Sequence, residues 1–67
     1  MEQDIQTIKR LIFQLRKEFG NIVAIDELKR LAIEENIGSK DVTKAIKALE
    51  EEGLVKVLDD DSIEVNA

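Results

Sequence analysis

Apolar residues in the opening segment recur at spacings of three and four: Ile5, Ile8, Ile12, Leu15 and Phe19, with Leu11 beside them. That period predicts a long amphipathic helix, and Gly20-Asn21 ends it. The same spacing fits a coiled-coil seam, but about two heptads fall short of the three or four such a seam requires. The next run, Asn21-Ile22-Val23-Ala24-Ile25, is short, apolar and partly β-branched, and reads as a small strand between Gly20 and Asp26. Asp26 is then expected to be the N-cap of a second helix whose buried stripe is Leu28, Leu31 and Ala32. Asn36-Ile37-Gly38 supplies a tight turn.

A third helix is written between Ser39 and Gly53, in the stretch SKDVTKAIKALEEEG. The Ser39 hydroxyl is expected to accept from the free N–H groups of the first turn, and Gly53 can adopt the left-handed conformation beyond the last turn at little cost. On a helical wheel Val42, Ala45, Ile46 and Leu49 share one face, with Lys40, Lys44 and Lys47 roughly opposite. Beyond Gly53 the β-branched and apolar residues Leu54, Val55, Val57 and Leu58, the turn-favouring Asp59-Asp60-Asp61, and the alternation of Ile63 and Val65 around Glu64 predict a hairpin. Helix, strand, helix, helix, strand, turn, strand is the order of a winged helix-turn-helix, an α+β, mainly α fold of three helices and a small sheet with a two-stranded wing. The segment 1–67 is expected to form one such domain.

Composition narrows the chemistry more than the fold. Sixty-seven residues lie near the lower limit at which an apolar core holds a domain together without staples, and the 43% hydrophobic content suffices for such a core. Cysteine and histidine are both absent, so thiolate and imidazole chemistry is excluded and carboxylates are left as the only ligands or proton carriers. No catalytic residues, metal ligands or cofactor are assigned, and the chain alone is expected not to be an enzyme. No apolar run approaches the ~20 residues of a membrane span, and MEQDIQ lacks the basic and apolar regions of a signal peptide. A soluble, cytoplasmic chain with no membrane partner is the expectation.

The net charge of −5 argues against strong sequence-independent binding to nucleic acid, since phosphate neutralisation calls for a basic surface. Within this acidic chain Lys40, Lys44 and Lys47 form a basic row on the third helix, with Ser39 and Thr43 able to add phosphate or base-edge hydrogen bonds. They are the DNA-contact candidates, and a solvated helix face interrupted by Glu51 is the plainer alternative. Lys40 near the positive end of the helix dipole and Glu50, Glu51 and Glu52 near its negative end are electrostatically misplaced, which either a protein partner or screening by solvent accommodates. Phe13 and Ile33 fall off the predicted core faces, so they join the three glutamates as protein-contact candidates. Asp59-Asp60-Asp61 with Glu64 repels phosphate where a DNA-binding wing carries basic residues. The contiguous aspartates lack the alternation, glycine and distal glutamate of a calcium loop, so a solubilising turn accounts for them better than a metal.

Over nearly its full length the chain resembles the C-terminal winged-helix domain of archaeal minichromosome maintenance (MCM) replicative helicases. The resemblance is carried by Ile8, Ile12 and Leu15 leading into Lys17-Glu18-Phe19-Gly20, by Val23, Leu28, Ala32, Ile37, Val42, Ile46 and Leu49, and by Glu52-Gly53-Leu54. Where the family's wing commonly carries Glu-Pro and a glycine, this chain has Val57-Leu58-Asp59-Asp60-Asp61. The resemblance implies a piece of a larger ATP-dependent DNA helicase acting in replication. Its ATPase motifs would lie elsewhere in the parent chain; here Gly20, Gly38 and Gly53 stand alone at element boundaries and form no phosphate cradle. It further implies an accessory role, with the helicase catalytic core of the same or a neighbouring subunit as partner and only weak nucleic-acid binding. The alternatives are a free-standing winged-helix transcription regulator reading DNA with the third helix, and a pure protein-recognition module.

Overall fold

In the computed structural model, which describes residues 2–59 and 61–66, the expected element order is present. It comprises α1 (Glu2–Phe19), β1 (Ile22–Ala24), α2 (Ile25–Glu34), α3 (Ser39–Glu51), β2 (Val55–Val57) and β3 (Ser62–Val65). The fold is small and mainly helical, three helices with a three-stranded antiparallel sheet in the order β1-β3-β2. Asp60, the middle residue of the expected Asp59-Asp60-Asp61 turn, lies outside the described residues.

β3 is the central strand and carries both pairings. Val23 faces Ile63 on one side, and Val55 and Val57 face Val65 and Ile63 on the other. Main-chain bonds lengthen both ladders: Val65 N–H donates to the Asn21 carbonyl and Ile25 N–H to that of Asp61, each at 2.8 Å, while Asn66 N–H reaches the Leu54 carbonyl at 2.8 Å. The period of two puts Val23, Ile63, Val65 and Val55 on the face turned toward the helices. There they meet Ile8, Ile12 and Leu15 of α1, Leu28 and Ala32 of α2, and Val42, Ala45 and Leu49 of α3 in one buried cluster. Burying each Leu or Ile of this kind contributes about 1.5–3 kcal/mol relative to leaving it in water.

α2 and α3 stop in the same way. Past α2, Asn36 has φ +63°, its N–H donates to the Ile33 carbonyl at 3.0 Å, and Ile37 N–H donates to that of Ala32 at 2.9 Å. Past α3, Gly53 has φ +82°, donating to Glu50 at 3.0 Å while Leu54 donates to Leu49 at 3.1 Å. Both are Schellman closures, which satisfy the last carbonyls and turn the chain sharply. The turn at Asn36 delivers Ile37, 4% exposed, into the core between the two helices.

Four expectations are corrected. Asp26 is not the N-cap of α2: the chain passes from β1 into the helix with Ala24 in that position, because the sheet bond from Ile25 N–H already occupies the first helical donor. Asp26 lies in the first turn, where its charge complements the helix dipole. Ser39 is likewise not the cap of α3. Gly38 precedes the helix in an extended conformation and its carbonyl accepts from Asp41 and Val42 N–H, which starts α3 one residue earlier than a serine cap would. Phe19, expected on the apolar row of α1, is 67% exposed at the last position of the helix, beside β1 rather than beneath it. Phe13 packs half-buried against the core, since α1 touches α2, α3 and β1 and its buried stripe is correspondingly broad.

Candidate functional site

α3 has two faces of opposite character. Val42, Ala45, Ile46 and Leu49 anchor it in the core, and the helix turns Lys40, Lys44 and Lys47 into solvent. Among the described residues the ion pairs are Arg10 with Glu35 at 3.4 Å and Arg30 with Glu27, so no carboxylate neutralises the three lysines. The row is exposed, mobile in its side chains by the nature of lysine, and free to meet anions.

Ser39 and Thr43 serve the helix itself. The Thr43 Oγ1 donates to the Ser39 carbonyl at 3.1 Å, leaving the threonine oxygen only its lone pairs for an incoming donor. Ser39 sits exposed at the first helical position with no capping bond. Of the glutamates at the far end, Glu50 reaches across to the sheet and its Oε2 accepts from Val57 N–H at 3.4 Å, whereas Glu51 and Glu52 face solvent.

The acidic turn that flanks α3 is organised by one carboxylate. Asp59 Oδ1 accepts from Asp61 N–H at 2.8 Å, Ser62 N–H at 3.0 Å and Ser62 Oγ at 3.2 Å. These donors, the Asp61 amide foremost, hold the Asp59 carboxyl below the ordinary aspartate range and keep it ionised. On α2 the side-chain hydrogen bond from Arg30 lowers the Glu27 carboxyl in the same sense, and the pair raises the Arg30 guanidinium. Among the described residues no three potential metal-ligating side chains converge, and no helix is long and apolar enough to cross a membrane.

The other two candidates differ in their surroundings. Phe13 borders a shallow groove with Arg10, Gln14 and Lys17, and Ile33, 67% exposed on α2, is not among its walls. Two features escaped the sequence. A groove of about 280 Å³ runs along β1 between Leu15, Phe19, Ile22 and Glu27. A cleft of about 310 Å³ lies between α3, the start of α2 and the β2–β3 hairpin, with Ile25, Ile46 and Val57 as its apolar floor. Lys29, Lys47, Glu50 and Asp59 stand around that floor. The hint in the sequence was Val57, which the strand alternation puts on the same face as Val55 although it stays 38% exposed.

No family model, curated protein or solved structure matches the chain.

Proposed function

We propose that the chain is a noncatalytic winged-helix domain of the kind archaeal MCM helicases carry at their C-terminal end, modulating an ATP-dependent helicase ring through protein contacts and touching DNA weakly. The element order and the β1-β3-β2 sheet support the winged-helix reading, with α2 and α3 as the helix-turn-helix and β2–β3 as the wing. The observation that carries the functional part is the pairing of opposites on one side of the molecule. The lysine row of α3 is exposed and, among the described residues, makes no ion pair, yet the adjacent wing turn is held ionised at Asp59. Three lysines neutralise at most about three phosphates, which sets the slope of log affinity against log salt near −3 and leaves little binding at physiological salt. A surface of this kind grips DNA briefly and leaves the main contacts to protein.

Amide chemical shifts of the chain titrated with short duplex and single-stranded DNA test the DNA part. The expected result is small shifts from Ser39 to Lys47 that vanish as salt rises. ATP hydrolysis and unwinding by a helicase carrying this domain, compared with the same helicase lacking it, test the accessory role. Unchanged rates overturn it. The exposed lysine row is also what a free-standing regulator would present, and sequence-selective duplex binding that persists at physiological salt would establish that reading instead.

A further inference from the structure

The cleft between α3 and the hairpin holds charges of both signs that leave one another unpaired. Thr43, Ile46, Lys47 and Glu50 stand at positions i, i+3, i+4 and i+7 along one flank of α3, so one helix edge supplies a floor residue, a cation and an anion. Lys29 adds a second cation from α2, and Asp59 a second anion from the turn. Among the described residues none of these four charges comes within 4.0 Å of an opposite one. Asp59 is fixed in place by its three internal donors, and Val57 leaves 38% of its surface open above the floor.

We infer that this cleft receives a peptide segment of a protein partner that presents one aliphatic side chain between an acidic and a basic residue. The aliphatic group covers Ile25, Ile46 and Val57, the acid meets Lys29 and Lys47, and the base meets Glu50 and Asp59. A purely apolar ligand would strip water from four charges and return nothing to them. A nucleic-acid backbone would satisfy the lysines but bring phosphate against two carboxylates and lay no apolar surface on the floor. A segment with both charges flanking an anchor satisfies every group around the cleft, in the pattern of a small buried anchor within a polar rim. The inference rests on the reading of the domain as a protein-contact module and names the contact.

Selection of phage-displayed random peptides on the immobilised chain is the test. Enriched peptides are expected to share an aliphatic residue with an acid on one side and a base on the other. A synthetic copy is expected to move the methyl signals of Ile25, Ile46 and Val57. Its affinity is expected to fall roughly tenfold in Val57→Ser and again in Lys47→Glu, both substitutions at exposed positions that leave the fold standing. The inference is overturned if no peptide is enriched, if the enriched peptides bind both variants as well as the parent, or if short duplex DNA moves the same methyls. Should the peptides fail while removal of the domain still alters ATP hydrolysis by the helicase, the cleft falls and the accessory role stands. Peptide binding without an effect on hydrolysis separates the two in the opposite direction.

Discussion

The outward face of α3 and the turn of the β2–β3 hairpin are neighbours that hold charge in opposite ways. Among the described residues the α3 lysines make no ion pair, and they stand hydrated, open to an arriving anion. In the turn the Asp59 Oδ1 accepts from two amides and a hydroxyl, so that this carboxylate is held in one place by the chain around it. A charge count of −5 merges these two situations. Geometry separates charge on freely hydrated side chains from charge fixed in place by the backbone, and a ligand meets the two differently.

The comparison breaks most completely if the platform beneath both regions is lost. Leu49→Ala, at a side chain 1% exposed under α3, is expected to cost about 2–5 kcal/mol in urea unfolding and to take the lysine response with it. A smaller effect follows at the joint between helix and hairpin. Gly53 has φ +82° and open space where a Cβ would lie, so Gly53→Ala is expected to cost about 1–2 kcal/mol from backbone conformation alone, with an unchanged denaturant m-value. Lys44→Ala sharpens the contrast: stability stays within about 0.5 kcal/mol of the parent while the salt slope of DNA binding becomes shallower by about 1.

The smallest expected effect belongs to the turn. Because the fold favours the ionised form of Asp59, its stabilisation is full above the unfolded-state pKa and fades as pH falls through the depressed folded value, below about pH 4. Asp59→Ala should therefore lower Tm slightly at neutral pH and flatten the acid limb of the Tm profile. An identical acid limb in the variant would show the carboxylate to be idle.

Elements and core were legible because period and punctuation agreed. Val42, Ala45, Ile46 and Leu49 could share a face only in a helix, Gly53 marked its end, and all four are buried. Starts were harder to read. Ser39 and Asp26 carry capping oxygens, but position is decided by where the preceding backbone bonds lie, and those come from the Gly38 carbonyl and from the sheet bond at Ile25. Phe13 and Phe19 exchanged roles for a tertiary reason: a wheel assigns a face to a residue without knowing how many neighbours surround the helix or where it ends. For the candidate site, the lysine row was visible as a period. The cleft was not, since Ile25 and Lys29 of α2, Lys47 of α3, Val57 of β2 and Asp59 of the turn meet only when the hairpin folds back.

The middle strand of the sheet is also the latest of the three in chain order. On a ribosome, α1 to α3 can form and pack while β1 and β2 remain two unattached edges, for neither pairs with the other. Both find their hydrogen bonds in a single event when Ser62–Val65 emerges from the exit tunnel. Formation of the sheet thus waits on one four-residue segment, and a chain without it would carry two unpaired, adhesive strands beside its helices.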